Sequence, residues 1–159
     1  FIFKPFLIFT GLLIIYYWST LKKIMKNNSF DKIILFGYLT GVCLILHSIF
    51  LGIKIDNNIY KIFVRLNLFF TLVFALMSKI YFILEIKKIS ENLEKNLNKK
   101  IIKLKSIIVY LLVGIAIVVI PLLPFIEFKE LKYIIEWNYY VLIFTFYLLS
   151  FFMFKKTIL

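Results

Sequence analysis

The sequence predicts an all-α fold, a polytopic integral membrane helical bundle of about five transmembrane helices. Three observations predict it. Of 159 residues, 63% are hydrophobic and 19% aromatic, with a mean hydropathy of +0.98. A soluble domain of this size cannot bury that much apolar surface, whereas lipid can cover it. Apolar runs long enough to cross a hydrocarbon core of about 30 Å recur along the whole chain. The lysines, which bring the formal net charge to +12, stand in short clusters between those runs. Cytoplasmic loops of membrane proteins carry lysine in this way. The expected partners of this charge are therefore membrane lipids, including anionic headgroups, and not nucleic acid.

The first span covers about residues 2–21 and closes on Lys22, Lys23 and Lys26. Tyr16, Tyr17 and Trp18 stand at that end, where an interfacial aromatic belt belongs. A cleavable signal is not expected, because the charged start and the small-residue cleavage site are both lacking. The chain opens at Phe1 without methionine, so either processing or a missing upstream piece is expected. A missing first span would make the count six and both ends cytoplasmic.

Span two, 33–53, follows Asp31, a good helix N-cap. It carries Gly37, Gly41, Ser48 and Gly52, spaced so that all four lie near one helical face. Close van der Waals contact drives helix association in lipid, so these four are the predicted helix-packing residues. The seam is expected inside the subunit before any dimer contact. Span three, 59–84, places Arg65 and Asn67 near its outer end and Lys79 near its inner end. Lys79 lies about 7.5 Å from the boundary, within snorkelling reach of the headgroups.

The segment 85–105 is the long polar stretch, with seven lysines against three glutamates. Ile86, Ile89, Leu93, Leu97, Ile101 and Leu104 recur at the 3.6-residue period of one helical face. A break is expected at Asn96–Leu97–Asn98, where polar residues suit a turn. Two arrangements follow. Spans three and four can extend beyond the membrane as a basic hairpin that buries the stripe, or a separate amphipathic helix can lie on the inner surface. The hairpin is preferred because it needs one break. Span four, 107–126, has Pro121 and Pro124 at its outer end. A short loop precedes span five, 137–154, whose Trp137, Tyr139 and Tyr140 mark the outer interface and whose inner end meets Lys155 and Lys156. Residues 1–159 read as a single membrane domain.

Orientation follows from lysine bias. Inner segments, with Lys79, hold fourteen Lys and Arg, and outer ones six. The positive-inside rule then puts the N-terminus outside and the C-terminus in the cytoplasm of a multi-pass protein of the cell inner membrane.

Chemistry is sparse. His47, Arg65 and Asn67 form the candidate polar site, because His47 and Arg65 share a depth in adjacent spans. Asp56, Glu127, Glu130 and Glu136 lie on the same expected side and offer counter-charge. Intramembrane polar groups are functional candidates by default, while ordinary interhelical hydrogen bonding, worth about 0.6 kcal/mol, is the competing account. Cys43 and His47 share a face, yet two ligands do not make a zinc site. No catalytic, metal or cofactor-binding residue is predicted, and no cofactor. A single cysteine forms no intrachain disulfide. The spans hold no carboxylate for a coupled carrier, and Thr71, Ala75 and Ser78 are too mild for a pore lining. One histidine leaves little for an enzyme of the bilayer. The expected function is a non-enzymatic membrane subunit or small oligomeric effector, acting through helix–helix association with itself or a membrane partner. The alternatives are a channel or transporter component, and the membrane sensor portion of a longer signalling protein.

Overall fold

The computed structural model describes residues 3–25, 30–50, 53, 57–92, 97–119 and 129–154. Among them the fold is all-helical, with no strand: α1 (Phe3–Met25), α2 (Asp31–Phe50), α3 (Asn58–Asn92), α4 (Lys99–Gly114) and α5 (Lys129–Met153), with a π-helical turn, Ile115–Val119, continuing α4. Leu, Ile and Phe dominate these runs, and the one proline inside a described helix, Pro5, sits in the first turn of α1, where its missing N–H is harmless. Threonines along the helices return their hydroxyls to the carbonyl four residues back, as Thr40 does to Phe36 (2.8 Å) and Thr71 to Asn67 (2.8 Å). An apolar helix can therefore carry these residues without orphaning a polar group.

Four stretches are long and apolar enough to cross a membrane: Lys4–Met25, Asp31–Phe50, Asn58–Ile89 and Lys99–Val118. The expected fifth differs. Its apolar part is Asn138–Met153, about 24 Å of helix, shorter than a hydrocarbon core of about 30 Å. Lys129, Glu130, Lys132 and Glu136 occupy the first turns of α5 and shorten its apolar run. The fourth stretch also begins earlier than residue 107, because Lys99–Lys105 is the opening of the same helix. Pro121 and Pro124 lie outside the described residues.

The chain divides into two compact units, 1–82 and 83–159. In the first, α1 and α2 form an antiparallel hairpin and the early part of α3 returns alongside α2. The hairpin is registered along its length. Ser48 Oγ donates to the Lys4 carbonyl at 2.8 Å, Ser19 Oγ meets Tyr38 Oη at 3.0 Å, and Lys22 pairs with Asp31 at 3.1 Å. Asp31 is thus the first residue of α2 and an ion-pair partner, a placement that also suits the positive end of the helix dipole. Aromatic rings join α2 to α3: Phe50 meets Tyr60 and Phe63 edge-on, and Phe36 stacks on Phe74 and Tyr81. Trp18, Phe30 and Phe82 close the end of this unit, with ring centroids 6.0 and 6.4 Å apart. Trp18 is fully buried by protein, so it is no member of an interfacial belt, while Tyr16 beside it is 70% exposed.

In the second unit, the last turns of α3 precede α4 and α5. The expected break falls at its place, but Asn98 starts the next helix. Its side chain accepts from the Lys100 N–H at 3.1 Å, an N-cap, and its own N–H donates to the Met153 carbonyl at 2.9 Å. The apolar stripe does not run through this cap. Ile86 and Leu97 are buried, yet Leu104 is exposed and Lys105 is buried in its stead. The break resets the helical phase, so α4 buries Ile102, Lys105, Ser106, Val109 and Leu112. Leu93 lies outside the described residues.

Candidate functional site

Three of the four predicted packing residues, Gly37, Gly41 and Ser48, fall in the seam between α1 and α2. A Cβ on Gly41 would meet Ile15 Cγ1 at 2.5 Å and the Gly11 carbonyl at 2.7 Å, and one on Gly11 would meet Ile45 Cγ1 at 2.6 Å. Only glycine permits backbones this close. Gly37 lies under the indole of Trp18, and Ser48 spends its hydroxyl on α1. Gly52 lies outside the described residues. Gly11 and Trp18, the α1 half of the seam, were missed in the sequence reading. A lone glycine carries no repeat, and a tryptophan beside lysines resembles a membrane anchor.

The polar trio is not drawn together in the same way. Asn67 is buried, and its amide donates to the Cys43 carbonyl across the α2–α3 contact at 3.0 Å. That carbonyl lies one turn before His47, whose ring is half-buried. Among the described residues His47 Nδ1 has no hydrogen-bond partner. Arg65 is exposed and, two residues from Asn67, stands about 200° round α3 from it, on the far side of the helix. Asn67 therefore ties α3 to the stretch of α2 that carries His47, and Arg65 points away from that tie. Asp56 and Glu127 lie outside the described residues, as do the side chains of Glu130 and Glu136. No group of three His, Cys, Asp or Glu able to hold a metal occurs among the described residues. The trio offers an interhelical amide bond and a half-buried imidazole, with no nucleophile and general-base pairing.

Two lysines are held inside instead. Lys79 is 1% exposed and donates to the Ala75 carbonyl at 3.1 Å, so its ammonium does not reach outward by snorkelling as its depth suggested. Lys105 is wholly buried; its Nζ donates to Ser150 Oγ at 2.6 Å and sits 4.1 Å from the Phe146 ring centroid. Ser150 in turn donates to the Phe146 carbonyl at 3.2 Å, which makes a short relay between α4 and α5. The hydroxyl accepts a hydrogen bond from the lysine and donates its own hydrogen to the carbonyl, while the ring face offers negative quadrupole. Sequence reading assigned Lys105 to the basic segment because its neighbours are lysines. The signal it overlooked is the 3-4 spacing of Ile102, Lys105, Ser106, Val109 and Leu112.

No family model, curated protein or solved structure matches the chain.

Proposed function

We propose that this chain is a multi-pass membrane protein that acts through helix–helix association, as a non-enzymatic subunit or small oligomeric effector. One observation supports this most strongly. Large apolar side chains cover the outward faces of its helices, among them Ile59 at 75% exposure, Phe69 at 58%, Ile117 at 69% and Phe151 at 77%. Water-facing surfaces of soluble monomers do not hold apolar area on this scale, whereas lipid or a partner helix covers it. The small-residue seam is already filled by α1 against α2, so association with another chain uses the larger side chains of the outer faces. The lysine bias supports an inner-membrane orientation with the C-terminus cytoplasmic. Several buried polar groups support a structural role: Asn67, Lys79, Lys105 and Ser106 are each tied to a carbonyl or a hydroxyl.

The test is extraction followed by assay. After alkaline carbonate washing the protein stays in the membrane pellet, and in detergent, in-gel cross-linking yields discrete multiples of the 19.0 kDa chain. Release into the carbonate supernatant would refute the membrane reading. Ion flux through liposomes holding the purified chain alone would favour the channel alternative over association.

A further inference from the structure

We draw no further inference here: the strongest candidate, the outward face of α2 on which Leu35, Leu39, Val42, Leu46 and Ile49 recur at the alternating four- and three-residue steps of a coiled-coil seam, is an unpartnered apolar surface that lipid covers as readily as a second copy of the chain, and nothing in the structure shows which of them covers it.

Discussion

At the scale of single residues, glycine shows the difference between crowded and open helix surface. A methyl at Gly41 collides with Ile15 and with the Gly11 backbone, while one at Gly114 meets nothing within 4 Å. Backbone cannot yield as a flexible side chain does, so Gly41→Ala forces α1 and α2 apart and destabilises by about 1–3 kcal/mol. Gly114→Ala is neutral or stabilises by up to about 1 kcal/mol through helix propensity. Thermal midpoints in detergent should separate the two substitutions by several degrees, and equal midpoints would mean that the seam is loose. The buried relay gives a second asymmetry. Ser150→Ala leaves the Lys105 ammonium without its 2.6 Å acceptor and destabilises by about 1–3 kcal/mol. Lys105→Met keeps the volume and removes the charge, and Ser150 still has the Phe146 carbonyl. A buried charge is costly to strand and cheap to replace, so Lys105→Met should cost less than Ser150→Ala. The reverse order of midpoints would show that the ammonium is better held than the relay implies.

At the scale of elements, the turns were legible and the faces only in part. Lys26–Ser29, the short segment before Asn58 and the asparagines near residue 98 are polar breaks in apolar chain, and helices end or begin at each. The break near residue 98 also fixed what could not be read. A six-residue apolar stripe assumes one unbroken helix, and the cap at Asn98 rotates α4 out of that phase, exposing Leu104 and burying Lys105. The burial of Lys79 and Trp18 was illegible for a related reason. A long amphipathic side chain looks the same in sequence whether it reaches outward or folds against a neighbour, and only packing decides. The seam was half legible, since Gly37 and Gly41 form a spaced pair and Gly11 stands alone. The polar trio was legible as residues but not as a site, because the two-residue step from Arg65 to Asn67 turns them to opposite sides of α3. Asn98 itself supports a prediction. Asn98→Ala removes the acceptor of the Lys100 N–H and should destabilise the start of α4 by about 1 kcal/mol, whereas Asn98→Asp retains it. Hydrogen exchange at residues 99–102 checks this: unchanged protection in Asn98→Ala would exclude a capping role.

At the scale of the whole molecule, α3 is about 52 Å long, well beyond a hydrocarbon core of about 30 Å. On the proposed membrane reading, part of it stands in water or headgroups, and the lysines at its far end, Lys87 and Lys88, mark that part. The same argument sets the orientation proposed for every other helix, so one measurement bears on all of them. With Cys43 replaced by alanine, single cysteines are placed at Ile59 and at Lys100, both exposed and at opposite ends of the expected crossing. An impermeant maleimide is then applied to intact cells and to permeabilised ones. Ile59→Cys should react in intact cells, and Lys100→Cys only after permeabilisation. Labelling of Lys100→Cys in intact cells, with Ile59→Cys protected, would contradict the proposed topology.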